Sequence, residues 1–230
     1  MIGIICAMEV EIEELSSIMK DRREETVSGI KFITGTLSGR KTVMAVCGVG
    51  KVFAAMCAEI MILKYNADLI LNQGVAGTLT DKLNVFDVAV AESLVQHDMD
   101  TSAVGDEVGL ISGINVINLP CDKKMVDTAV SVIEKLGINT LTGVVASGDQ
   151  FIASNEKKKE IAQRFNAIAC EMEGGAIAQV CYVNKVPFLV IRAISDSADS
   201  GATVDYPEFI KKAASNSAKI AAEFVKVINI

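Results

Sequence analysis

The sequence predicts an α/β fold. Short apolar runs alternate with helical patterns along the whole chain, in the manner of βαβ units. Half of the 230 residues are hydrophobic, yet aromatics make up only 5% and Trp is absent. The core therefore has to be built from Val, Ile, Leu, Ala and Met, as in α/β sheets generally. No internal repeat, low-complexity segment or linker-like stretch interrupts the alternation, and the length suits one well-buried core, so a single domain is expected over residues 1–230.

Each element follows from local pattern. Residues 2–7 read as a first strand ending at Met8, and the acidic segment 9–14, with Leu15 and Ile18 behind it, opens a helix that leaves Glu11 just past the strand's carboxyl end. Residues 30–37 and 42–47 are two strands joined at Ser38-Gly39, which places an antiparallel element in the sheet. Gly48-Val-Gly-Lys51 leads into a helix over 52–63 whose small and apolar residues suit burial against that sheet. Residues 69–71 form a short buried strand running into Asn72-Gln-Gly-Val-Ala-Gly77, either a plain turn or a place where the backbone approaches a ligand closely. A strand over 85–95 precedes Gln96-His-Asp-Met-Asp100 and a Gly- and Ser-rich loop reaching Pro120. Then come a helix over 122–136 stopped by Gly137, a strand over 141–146, and a helix over 155–165 capped by Ser154, with Lys157, Lys158 and Lys159 on its solvated face. The last helix opens at Asp205-Tyr-Pro-Glu208 and repeats apolar or small residues at 209, 213, 217, 220, 224 and 228.

Composition excludes several function classes. A net charge of −7 provides no basic stripe to neutralise phosphates, so neither nucleic acid nor an anionic membrane is an expected partner. Six cysteines without CxxC pairing and a single histidine give no zinc spacing, so no metal and no cofactor is expected and the cysteines read as buried thiols in a reducing cytosol. His97, Asp98 and Asp100 resemble a metal cluster only superficially, and a hydrogen-bonded structural histidine is the preferred reading. The amino-terminal apolar run lacks a basic leader and breaks at Glu9, and no run has membrane-spanning length, so a soluble cytoplasmic protein is expected. A P-loop would need Gly at Ala45 and Ser or Thr at Val52, and a Rossmann fingerprint would need Gly at Phe53. Both nucleotide-binding readings fail.

Three polar clusters remain, each beside an apolar run: Ser147-Gly-Asp-Gln-Phe151, Cys170-Glu-Met-Glu-Gly-Gly175 and Arg192-Ala-Ile-Ser-Asp196. Residues 189–191 read as a short buried strand with Arg192 and Asp196 at its carboxyl end, the edge at which α/β sheets bind ligands. Glu171 and Glu173 either converge there on one small molecule or are first-turn acids favoured by a helix macrodipole, with Arg192 and Asp196 a structural ion pair.

Taken with residues 3–11, Gly48-Val-Gly-Lys51 and Gly74-Val-Ala-Gly77, these clusters resemble, in type and order, the 5′-methylthioadenosine/S-adenosylhomocysteine nucleosidases. The resemblance runs from residue 2 to the last helix. It implies the nucleoside phosphorylase-like fold, a central mixed β-sheet surrounded by α-helices, and a homodimer in which the neighbour's 97–110 region helps close each site. It also implies that adenine lies on Phe151, that the Ile152 backbone reads its Watson–Crick edge, and that Asp196 faces N7. Glu173 would accept from both ribose hydroxyls, assisted by the Met172 amide. Glu11 would hold and deprotonate the attacking water, with Arg192 nearby keeping that carboxylate ionised. Met8, Val49, Met172 and Tyr206 would line the slot for the 5′-alkylthio group, and Val75, Ala76, Gly77, Glu171 and Ser195 complete the substrate-contacting set. Val75 and Thr78 depart from the family's frequent small hydroxyl residue and second glycine.

The chemistry asks for such residues. Breaking an N-glycosidic bond builds positive charge on the ribose, while adenine must not leave as an anion. An acid at Asp196 and a base at Glu11 would meet both demands. The implied function is adenine release by hydrolysis, with a purine or uridine phosphorylase, an aminodeoxyfutalosine nucleosidase and a non-catalytic purine-binding protein as alternatives.

Overall fold

The computed structural model describes the backbone of residues 1–196 and 206–229, and the side chains of residues 1–195 and 212–229. Among the described residues ten strands form one mixed sheet. β1 (Ile2–Cys6), wholly apolar but for Gly3, is buried along its length and pairs in parallel with β4 (Arg40–Val46) on one side and β5 (Leu69–Thr78) on the other. β4 continues antiparallel into β3 (Ile30–Leu37), and β3 into β2 (Lys20–Val27). β5 also pairs in parallel with β10 (Phe188–Asp196), which lies antiparallel to β6 (Val88–Gln96). β6 runs parallel to β8 (Thr140–Ser147), and β8 to β9 (Ala167–Glu171). Because β9 returns to β5 at Gly77 and Thr78, strands β5, β10, β6, β8 and β9 close on themselves. The two-residue β7 (Leu119–Pro120) adds to β6.

The helices described on the sheet are α1 (Glu13–Ile18), α2 (Lys51–Tyr65), α3 (Lys123–Lys135), α4 (Asn155–Phe165), α5 (Gly174–Asn184) and α6 (Tyr206–Val227). α3 buries Met125, Val126, Ala129, Val132 and Ile133, one face of a 3.6-residue period, and Asp122 caps it by accepting from the Met125 amide. Ser154 caps α4 through the Lys157 amide. α6 packs on β10 and β5, and its expected stripe at 213, 217, 220, 224 and 228 is buried. Position 209 lies outside the described side chains, and the capping residue Asp205 lies outside the described residues.

Several expectations are corrected. The acidic segment after β1 first makes a 3-10 turn (Glu9–Glu11), and only then α1. β2 was not anticipated, because its sequence KDRREETV has no apolar period; it is an exposed strand guarded by charge. Residues 72–77 are not a turn but the second half of β5, and β10 continues through Arg192 to Asp196. Lys158 is buried, since three consecutive helical residues span most of a turn and cannot all face solvent. Among the described residues no helix is long and apolar enough to cross a membrane.

Candidate active site

The site gathers where strands end. Residues 7–11 follow β1, 48–50 follow β4, 148–152 follow β8 and 172–173 follow β9, while β5 and β10 contribute residues from their second halves. A cavity of about 180 Å³ opens there. It is lined by Met8, Glu11, Val49, Val75, Ala76, Gly77, Phe151, Ile152, Glu171, Met172, Glu173, Arg192 and Ser195. Of the residues singled out in the sequence, only Asp196 and Tyr206 are missing from this group, and their side chains lie outside the described residues. The Asp196 backbone pairs with Gly77, one of the lining residues.

Glu11 is 1% exposed. The 3-10 turn folds its carboxylate back onto the end of β1, where Oε2 accepts from the Ala7 amide at 2.9 Å and the Met8 amide at 3.0 Å. Burial pushes its carboxyl above the usual range, against the opposing pull of the Met8 amide, Arg192 and the Ala7 amide. Gly74 makes room for it. A Cβ there would stand 3.0 Å from Glu11 Oε1 and 3.3 Å from Arg192 Nη1.

Arg192 sits within β10 with its side chain 1% exposed. Its Nη2 donates to Glu171 Oε2 and to Asn72 Oδ1, and stands 3.9 Å from Glu173 Oε2. Glu171 is saturated: it also accepts from Ser147 Oγ, the Glu173 amide at 3.0 Å and the Gly174 amide at 2.7 Å. Burial alone would raise the Glu171 carboxyl, but Arg192 and Ser147 hold it below the usual range. Arg192 forms its ion pair with Glu171 and reaches Glu11 only through its field, because a buried guanidinium is stabilised by a carboxylate whose other lone pairs are also satisfied.

Glu173, the residue before α5, gains less. Its Oε1 accepts from the Gly50 amide at 3.0 Å. Burial and the neighbouring Glu171 charge push its carboxyl up to about 7, with Arg192 and the Gly50 amide opposing. Gln73, Gln150 and Cys170 also line the cavity and were not anticipated. The available signal for Gln73 was an amide pair, Asn72-Gln73, inside an apolar strand. Asn72 donates to the Ile5 carbonyl at 3.0 Å and Gln73 to the Glu11 carbonyl at 3.2 Å, locking β5 to the Glu11 turn.

His97 is buried, but it is not the hydrogen-bonded histidine expected. Its amide donates to the Ser147 carbonyl at 2.9 Å, whereas ring Nε2 has no hydrogen-bond partner. Burial pushes its pKa down. The described residues contain no group of three His, Cys, Asp or Glu placed to hold a metal.

The family pattern of the phosphorylase superfamily matches residues 1–226. A 5′-methylthioadenosine/S-adenosylhomocysteine nucleosidase of Staphylococcus aureus is 39% identical over 226 residues, covering 98% of this chain and 99% of that protein. The chain belongs to this nucleosidase family. Two solved structures superpose closely. The Neisseria meningitidis nucleosidase in complex with methylthio-immucillin-A is 37% identical, with a TM-score of 0.93 and 99% of both chains covered. The futalosine hydrolase of Helicobacter pylori is 36% identical, with a TM-score of 0.93, covering 99% of this chain and 97% of that one.

In this nucleosidase fold the Glu173 charge is held at a cost to stability. Its carboxyl rises from 4.5 to about 7, so the folded state keeps a proton that the unfolded chain releases between those values. Stability from this group therefore falls as pH rises through that window, by on the order of 1–3 kcal/mol. Glu173→Gln is expected to raise Tm over wild type at pH 8 and to leave it nearly unchanged at pH 5, measured by calorimetry. An equal shift at both pH values would remove the buried-charge account.

Proposed function

We propose that the chain hydrolyses the N-glycosidic bond of 5′-methylthioadenosine and S-adenosylhomocysteine, releasing adenine and the 5-thioribose. The observation that carries this reading is Glu11: a carboxylate buried at a cavity wall, held by two backbone amides, and in no ion pair among the described residues. Such a group stays available to take a proton from water, and its raised pKa brings it nearer to neutrality, where a general base works best. Among the described residues Glu173 Oε2 accepts no hydrogen bond, with Arg192 Nη2 at 3.9 Å, and it can accept from ribose hydroxyls. Adenine would lie on Phe151, with Asp196 protonating N7 as the bond breaks and positive charge spreads over the ribose. Met8, Val49, Met172 and Tyr206 would enclose the alkylthio group.

The phosphorylase alternative lacks a cation for phosphate. Arg192 is the one lysine or arginine lining the cavity among the described residues, and it is committed to Glu171. Asn72 holds the Ile5 carbonyl and Arg192, and Val75 offers no donor from its side chain. A purely purine-binding role gives no account of why Glu11 is buried at electrostatic cost. An aminodeoxyfutalosine nucleosidase remains the second reading, supported by similarity to the Helicobacter pylori futalosine hydrolase.

The free buried thiols fit a reducing cytosol. We extend the proposal to a homodimer, because apolar side chains stand exposed around the cavity mouth and on nearby segments: Phe151 at 79%, Val52 at 70%, Phe53 at 52% and Val104 at 82%. Sedimentation should give about twice 24.4 kDa. A fully active monomer would refute a neighbour's part in the site. The substrate assignment is tested by adenine release from methylthioadenosine, S-adenosylhomocysteine and aminodeoxyfutalosine. The two thio-nucleosides are expected to have the higher kcat/KM, and the reverse order would transfer the assignment to the second reading.

A further inference from the structure

Outside the cavity, three chain segments meet in a closed hydrogen-bonded ring that the proposed chemistry does not use. Asp98, just past β6, accepts Lys51 Nζ on Oδ1 at 2.7 Å and the Asp149 amide on Oδ2 at 2.9 Å. Asp149 Oδ1 in turn accepts the Lys51 amide at 2.7 Å, at the start of α2. Lys51 Nζ also reaches Gln96 Oε1 at 3.2 Å, and Gln96 donates to Gln179 Oε1 at 2.7 Å, tying the ring to α5. The Lys51 and Asp98 side chains are only 20% and 14% exposed, so this pair is shielded more than a surface ion pair would be.

What the ring joins gives it meaning. One residue before Lys51, the Gly50 amide holds Glu173. Two and three residues after Asp149 come Phe151 and Ile152. The fit is close on both sides: a Cβ at Gly50, where φ is +102°, would stand 3.0 Å from Asp149 Oδ1, and one at Gly148 would stand 2.4 Å from His97 Nε2. We propose that Lys51, Asp98 and Asp149 form a positioning clasp that fixes the adenine-side loop 148–152 against the ribose-side turn 48–50. Asp98 and Lys51 are then positioning residues that touch no reacting atom. The clasp rests on the nucleosidase reading for its substrate but not for its geometry.

Asp98→Asn and Lys51→Met are the test, read by kcat and KM for methylthioadenosine and by calorimetric Kd for adenine. Removing a shielded charge-assisted hydrogen bond is expected to raise KM and the adenine Kd about tenfold. The acid limb set by Glu11 should stay in place, because Glu11 is held by the Ala7 and Met8 amides and not by the ring. Lys51→Arg should recover most of the affinity, and the double variant should lose little more than either single one, as partners in one ring do. Loss of folded protein alone lowers kcat and leaves KM and Kd unchanged. That pattern, or full affinity in both single variants, overturns the clasp. If one variant fails to fold, the other decides. Wild-type protein separates the two hypotheses: should it release no adenine, the nucleosidase reading fails and the clasp is judged on adenine Kd alone, and absence of adenine binding overturns the clasp as well.

Discussion

Glu11→Gln is expected to lower kcat for methylthioadenosine by at least ~10²-fold, with KM changed less than about threefold. The amide keeps the size of the side chain, and its oxygen can still accept the Ala7 and Met8 amides that the carboxylate now accepts on Oε2. Only the ability to take a proton from water disappears. The fold should tolerate the change, since Glu11 forms no ion pair among the described residues and its charge is held against burial. Wild-type kcat/KM should fall as pH drops through the raised Glu11 value, because protonation removes the base, and that acid limb should vanish in the variant. Retention of more than about a tenth of wild-type turnover would falsify the assignment, because a general base contributes at least ~10²-fold.

Asp196→Asn should also abolish turnover by ~10²-fold or more, while adenine binding survives. Backbone pairing of Asp196 with Gly77 brings this position to the cavity wall at the end of β10. Asparagine preserves the shape and can still donate a hydrogen bond to N7, but it cannot transfer a proton as the glycosidic bond breaks. Adenine would then have to leave as an anion, which the uncatalysed reaction avoids. The discriminating readout is single-turnover adenine release alongside the adenine Kd. A variant that binds adenine normally and turns over at near wild-type rate would show that the leaving group needs no acid at this position.

The sequence made the architecture legible wherever burial was uniform. Ile2–Cys6 and residues 189–191 could be read as strands because a strand covered on both faces is apolar throughout. Asn155–Phe165 was legible from its Ser154 cap, and the structure ends it at Asn166 in the left-handed region, φ +51°. β2 was not, since an edge strand facing water needs no apolar face. The ends of β5 and β10 were lost for a different reason. Asn72 and Arg192 look like strand breakers singly, and they are tolerated in the sheet because they satisfy each other across 120 positions of sequence. The Arg192–Glu171 pairing, the Gly50–Glu173 bond and the Lys51–Asp98–Asp149 ring are all long-range partnerships of this kind. Motif order named their members; only the fold shows who pairs with whom.

The central claim is that water, activated at Glu11 and not displaced by phosphate, completes the cleavage of the glycosidic bond. Burying a dianion beside Glu11 and Val75, with Arg192 already committed to Glu171, would cost several kcal/mol. The most direct measurement is the turnover of methylthioadenosine by purified protein in phosphate-free buffer and over a phosphate titration, with the sugar product identified by mass. The account predicts adenine and free 5-methylthioribose at a rate independent of phosphate. Methylthioribose 1-phosphate, or a rate rising in proportion to added phosphate, would contradict it.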